Sequence, residues 1–272
     1  MYLTWLDSNS WLIEIGSKQI LIDPWLVGPL VFGNLPWLFK GERLTPRTIP
    51  ENVDLIVLSQ GLEDHAHPET LKQLDKNIPV VASPTAAKVV QDLGYSQVIT
   101  LDHGYTYCFD NSVEIRAVPG SLVGPTLVEN GYIFKDLGIG NTIYYEPHGN
   151  HSEKIKEFAP IDVVISPVIN LNLPLVGPII KGNESALQVA QWLQPQVMIP
   201  TAGGGDVNFQ GLLIFLLKEK GNIEEIQSRL AKDNLATKII EPKPGERFEL
   251  ELEERVLTLS LIHISEPTRQ HW

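Results

Sequence analysis

The sequence predicts one α/β domain over residues 1–258, built as two sheets packed together with helices on the outside. Three observations predict it. The chain opens on short strand-like runs split by turn residues; apolar strands and helices then alternate; and the second half repeats that order with no low-complexity linker between the halves.

Tyr2 to Leu6, Ser10 to Ile15 and Gln19 to Ile22 are apolar or alternating runs separated by Asp-Ser-Asn and Gly-Ser, which predicts a meander of three strands. Pro24 to Pro50 reads as a loop. Val53 to Leu58 is a buried-type strand, Pro68 to Leu74 a helix with proline in its first turn, and Val80 to Ala82 a further strand. A helix over Pro84 to Leu93 and a strand over Gln97 to Leu101 follow, then strands at Val113 to Val118, Tyr132 to Phe134 and Thr142 to Tyr145. The second half gives a strand at Val163 to Ser166, a helix at Glu184 to Leu193 and a strand at Val197 to Pro200. Helices at Phe209 to Lys218 and Ile223 to Ala231 complete it, with Asn183 and Asn222 where N-caps belong.

Of the 272 residues, 43% are hydrophobic and 20% charged, which suits a globular chain with a sizeable core. A net charge of −12 and no Lys/Arg run argue against a nucleic-acid partner. Cys108 stands alone and cannot form an internal disulfide, and the first residues lack the basic start and apolar core of a signal peptide, so the expected location is the cytoplasm. Pro24 to Phe39 and Val163 to Ile180 are uncharged, but each holds three prolines and neither is expected to span a membrane. Leu259 to Arg269 is similar to the translation of a transposon-end adapter used in sequencing libraries. Residues 259–272, with His263 and His271, are therefore set aside as an artefact of sequencing.

The chemistry-bearing stretch is Val53 to His67, VDLIVLSQGLEDHAH, a buried strand running into a loop of acids and histidines. There the chain resembles the metallo-β-lactamase superfamily, particularly its sugar-acid lactonase and phospholipase-D-like branch, and the resemblance implies a four-layer αβ/βα sandwich. The family places H-x-H-x-D-H after this strand; the aligned positions here are Gln60, Gly61, Leu62, Glu63, Asp64 and His65, so only the last two match. Ile20 to Trp25, ILIDPW, resembles the family's I-L-x-D-P, which implies that Asp23 holds a ligand from behind. Ala117 to Ser121 falls where a metal-binding His is expected, His148 where the family has a bridging Asp, and Ala202 or Gly203 where the last His belongs.

The resemblance thus leaves Asp64, His65 and His148 for one metal, two imidazoles and a carboxylate that suit zinc, iron or manganese, with His67, His151 and Glu146 near enough in sequence to complete or replace the set; the alternative is that no metal binds. Asp64 would also orient a water, and His67 or Glu146 would pass a proton to the leaving group of an ester, lactone or phosphoester. The plainer readings are that His65 and His67 cap the helix starting at Pro68, that His148 and His151 sit in an ordinary turn, and that Glu146 is a solvated strand end.

The tetrapeptide L-V-G-P occurs at Leu26 to Pro29, Leu122 to Pro125 and Leu175 to Pro178. With Trp25, Phe32, Trp37 and Phe39 it predicts an apolar rim for a small apolar substrate; alternatively these aromatics fill the core or seal a contact in a homo-oligomer. Thr201 to Asp206, TAGGGD, has a backbone around Gly204 able to cradle an anion, or glycines that only let two backbones pass closely. Three functions follow: a metal-dependent hydrolase, a catalytically inactive binding module, or an assembly subunit.

Overall fold

A computed structural model describes residues 1–124 and 126–254. The adapter-like segment from Leu259 lies outside the described residues, as does Pro125.

Two seven-stranded sheets face each other. Across the first, the order is Arg247–Glu249, Tyr2–Trp5, Trp11–Ile15, Lys18–Ile22, Leu55–Leu58, Val80–Ala82, Val98–Thr100. Across the second it is Lys238–Ile239, Val197–Ile199, Val163–Ile165, Thr142–Tyr145, Leu127–Asp136, Val113–Val123, Thr106–Phe109. In each sheet antiparallel hairpins give way to parallel strands. That is the similarity of halves legible in the sequence.

Alternation along the strands divides the core into three layers. Leu3, Trp11, Ile13, Ile20 and Val57 meet Ile115, Tyr132, Phe134, Tyr145 and Ile165 between the sheets. Residues of opposite parity face outward: Leu21, Ile56 and Leu58 against helix Pro84–Asp92, and Tyr144, Val164 and Met198 against helices Glu184–Leu193 and Ile223–Lys232. Helix, sheet, sheet, helix is the four-layer sandwich.

Local chemistry sets the helix starts. Ser83 accepts the Ala86 N–H ahead of Pro84, and Asn222 accepts the Glu225 N–H at 2.7 Å. Asn183 occupies the expected cap position but its side chain does not cap; it has a positive φ of 40° and accepts from Arg229 at 3.1 Å.

Two stretches differ from expectation. The Pro24 to Pro50 loop contains strands Leu30–Val31 and Lys40–Arg43, the latter paired with Val207–Gln210. The helix expected over Phe209 to Lys218 is replaced by that strand, a short helix Leu212–Leu216 and strand Lys218–Lys220. Gly211, at φ 115°, breaks the run, and Leu212 and Phe215 point to solvent, so this apolar stretch lacks the buried face that would support a longer helix.

Asp7 ties this inserted region to the first hairpin. It is fully buried and pairs with Arg43 and Arg47, and its Oδ1 accepts the Asp206 N–H at 2.8 Å. No helix among the described residues is long and apolar enough to cross a membrane.

Candidate metal centre

The carboxyl ends of the parallel strands gather at one edge of the sandwich, where open α/β sheets commonly bind ligands. Asp23 directly follows strand Lys18–Ile22, Ser59 and Gln60 follow Leu55–Leu58, and Glu146 follows Thr142–Tyr145. Sequence positions 23, 60, 64, 65, 146 and 148 thereby meet.

Asp23 is fully buried, with a φ of 43°. Its Oδ1 accepts the Ser59 N–H at 2.7 Å, and its Oδ2 accepts from Ser59 Oγ at 2.5 Å, Tyr145 Oη at 2.6 Å and His65 Nδ1 at 2.7 Å. Four donors fix this carboxylate, and through it the His65 ring.

His65 is completely buried, and its Nε2 lies 3.1 Å from Asp64 Oδ2. Burial opposes charging of the ring, but the carboxylates of Asp64 and Asp23 outweigh it and raise the pKa to about 10. Asp64 is pulled the other way: burial would raise its carboxyl, but the His65 charge and hydrogen bond hold it below the ordinary aspartate range. Its Oδ1 is buried and has no hydrogen-bond partner.

His148 completes the cluster. Asp64, His65 and His148 each offer a ligand atom, all within 4.8 Å of one another, and the two imidazoles meet edge to face at 5.0 Å. Burial, and then the neighbouring positive His65, lower His148 to about 4. Its Nδ1 faces Ser121 Oγ at 2.8 Å and the Gln60 carboxamide at 3.3 Å. The turn carrying it depends on Gly149, at φ 75°, because a Cβ there would collide with the Lys181 carbonyl.

Glu146 is buried, which overturns the reading of a solvated strand end. Its Oε2 accepts the Asn150 and His148 N–H groups at 2.6 and 3.2 Å, and its Oε1 accepts from Ser121 Oγ at 2.6 Å. Burial raises its pKa to about 7 against these hydrogen bonds. With both oxygens occupied, it touches His148 through Ser121 and is not poised to protonate a leaving group.

Several expected site residues lie elsewhere. His67 caps helix Pro68–Gln73: its Nδ1 accepts the Thr70 N–H and its Nε2 faces the Pro29 carbonyl at 3.2 Å, so neither nitrogen is free for proton transfer. Trp25 is wholly buried, with Arg43 stacked 4.7 Å above its ring and its Nε1–H on the Gly28 carbonyl. It belongs to the interior and cannot stand on a rim. Phe32, Phe39 and Phe209 stack in series beside it, whereas Trp37 is 63% exposed. Of the L-V-G-P repeats, Leu26 is core while Leu175 and Val176 tip an exposed hairpin. In TAGGGD, Ala202 and Asp206 spend their N–H groups on Ser8 O and Asp7 Oδ1, and Gly204 packs near Phe209. Gly205, at φ 61°, leaves room for the Asp7 carboxylate, which a Cβ there would meet, so this loop receives an anionic side chain of the protein itself.

Sequence reasoning passed over Asn9, Ser59, Ser121, Tyr145 and Thr201. Asn9 Nδ2 lies 3.4 Å from His65 Nε2, and Thr201 Oγ1 reaches Asn9 Oδ1 at 3.4 Å. Their residue types are too common to signal a site, and Ser121 and Tyr145 lie within strands, where nothing local sets them apart.

A family model for the beta-lactamase superfamily domain matches residues 2–202. The chain belongs to this superfamily. A UPF0173 metal-dependent hydrolase from Pyrococcus furiosus is 32% identical over 73% of this superfamily member and 82% of its own length. Among solved structures, an isothiocyanate hydrolase from Delia radicum gut bacteria superposes with a TM-score of 0.67 at 19% identity, covering 92% of this chain and 99% of that one. A possible metal-dependent hydrolase from Veillonella parvula gives 0.69 at 17% identity, covering 92% and 99%. At such identities these two show the metallo-β-lactamase fold and nothing finer.

Proposed function

We propose that this superfamily member is a single-metal hydrolase of a small ester, lactone or phosphoester, with Asp64, His65 and His148 as metal ligands. The observation that carries the reading is the Asp64 Oδ1 atom, buried and without a donor, beside two imidazoles that each have an acceptor behind one nitrogen. A lone buried acceptor costs stability unless something positive or donating meets it, and a divalent cation does so. One carboxylate and two imidazoles suit zinc, iron or manganese.

A cation bound there would supply Lewis acidity, lowering the pKa of a water and polarising the oxygen of the scissile bond. Asp23 holds His65 in the tautomer whose Nδ1–H points backward, which leaves Nε2 toward the cluster. With Oδ1 of Asp64 given to the cation, Oδ2, which meets His65 Nε2 at 3.1 Å while that nitrogen carries a proton, would be released to orient the attacking water or accept its proton once Nε2 serves as a ligand. The metal-dependent hydrolase name of the Pyrococcus relative supports the reaction class.

Hydrolysis of a panel of carboxylic esters, lactones and phosphodiesters is the test, on protein purified without an affinity-tag metal. The expected result is activity abolished by a chelator or by Asp64→Ala and restored to the wild type by one of the three metals. Activity indifferent to both treatments overturns the ligand assignment. Full metal loading without turnover of any class favours a binding module.

A further inference from the structure

We infer that Ser121 and Glu146 form a hydrogen-bond relay that fixes His148 with its proton on Nδ1 and so turns Nε2 toward the metal. The inference rests on the metal-centre reading above and adds two positioning residues to it.

The direction of the relay follows from counting donors. Glu146 Oε2 accepts two backbone N–H groups, from His148 and Asn150, so that oxygen cannot carry a proton outward. Its Oε1 lies 2.6 Å from Ser121 Oγ, within the range of a charge-assisted bond in which the hydroxyl donates. A serine has one hydrogen, and once that hydrogen points at Glu146 only lone pairs remain to face His148 Nδ1, 2.8 Å away. While Glu146 is a carboxylate, Nδ1 is therefore the protonated nitrogen. Among the described residues no hydrogen bond reaches Nε2.

The same assignment bears on a second orphan. Gln60 Oε1 is buried without a partner while the amide nitrogen lies 3.3 Å from Nδ1. An N–H cannot donate to Nδ1–H, but a carboxamide turned over presents its oxygen to that proton instead. Both imidazoles then share one design. Asp23 backs Nδ1 of His65, and Ser121 with Glu146 backs Nδ1 of His148. The bulge between Pro119 and Leu122, where strand Val113–Val123 slips register against its neighbour, puts Ser121 there, and Gly131 leaves the room that Glu146 occupies: a Cβ on Gly131 would sit 3.3 Å from Glu146 Cγ.

The relay makes a directional prediction. In Glu146→Gln the carboxamide oxygen must keep the two backbone N–H groups, so its NH2 faces Ser121 and donates. Ser121 then donates to Nδ1, and His148 is driven to the Nε2–H tautomer. The test is 15N NMR at pH 8.5, where Glu146 is ionised, of metal-free protein labelled at histidine, with the His148 signals identified by their loss in His148→Gln, alongside titration of zinc and of manganese. Wild type should show the Nδ1–H form; Glu146→Gln should lose it and bind metal about 10- to 100-fold more weakly at unchanged stoichiometry, Ser121→Ala, which leaves only the 3.3 Å Gln60 contact, should also bind more weakly, and Ser121→Thr should keep the wild-type tautomer and affinity. A wild-type Nε2–H signal overturns the relay, as does Glu146→Gln that keeps both the wild-type tautomer and affinity. If Ser121→Ala does not fold, the isosteric Glu146→Gln decides the same question. Should wild type bind neither metal, the metal-centre reading fails, while the tautomer signals still judge the relay.

Discussion

Replacing Asp23 by Asn removes the charge that organises the His65 side of the site while barely changing volume. The wild-type carboxylate receives four hydrogen bonds, from Ser59 N, Ser59 Oγ, Tyr145 Oη and His65 Nδ1. A carboxamide has one accepting end, so its NH2 must face at least one of these donors. The hydroxyls of Ser59 and Tyr145 can rotate, but the Ser59 N–H cannot. Stranding one buried donor costs about 1–3 kcal/mol, and losing one partner of a buried ion pair costs roughly 3–5 kcal/mol. These overlap, so the expected loss is about 3–5 kcal/mol in total. For a domain of this size that lowers Tm by roughly 6–20 °C. The pH dependence carries a sign. His65 is raised from 6.5 to about 10, so the stability it contributes is fully present below pH 6.5 and disappears as pH rises through 10. The gap between wild type and Asp23→Asn should therefore narrow across that window. Urea denaturation of chelator-treated protein at pH 6, 8 and 10 measures it. A loss under about 1 kcal/mol, or a gap that does not change with pH, would refute the account of His65.

Other perturbations separate core from surface and test the remaining buried charges. Trp25→Ala should cost about 3–5 kcal/mol in chemical denaturation because the ring is wholly buried, whereas Trp37→Ala, 63% exposed, should stay within about 1 kcal/mol. Equal losses would contradict the packing described for the aromatic series. Asp7→Ala leaves the nearly buried Arg43 without its anion and should cost about 3–5 kcal/mol, read in the same melts. His151, lowered to about 3 by burial and then by Lys181, keeps its neutral form against Tyr144 Oη at 3.0 Å. Its contribution is present above pH 6.5 and lost as pH falls toward 3, so His151→Asn should flatten the stability slope between pH 6.5 and 5; an unchanged slope would show that the ring titrates normally.

The layers were legible because burial leaves a mark on composition. Leu55 to Leu58 is apolar on both faces as a central parallel strand must be, and the start of each half alternates as a hairpin does. Asp64, His65 and His148 were placed by the resemblance to the family's H-x-H-x-D-H and bridging-Asp positions, and Asp23 by its I-L-x-D-P; the structure brings Asp64, His65 and His148 together and sets Asp23 behind His65. For His67 the plainer of the two sequence readings, helix capping, is the one the structure shows. The residue is also a histidine, two positions from His65, but Pro68 starts a helix whose first N–H groups need an acceptor, and His67 supplies it. Ser121 and Tyr145 act through contacts across 25 and 122 positions of chain, which no local pattern encodes. The run after Gly211 is apolar, yet Leu212, Phe215 and Leu216 are exposed and none of its residues is fully buried, so it lacks the covered face that sustains a longer helix.

The central claim is that the chain holds one metal through Asp64, His65 and His148. Its most direct test is the metal content of exhaustively dialysed protein, purified without an affinity-tag metal and then offered excess zinc, iron or manganese, for wild type and Asp64→Ala in parallel. The account predicts one tightly held equivalent per wild-type chain and none in the variant. Two equivalents surviving dialysis, or one retained equally by Asp64→Ala, would contradict it.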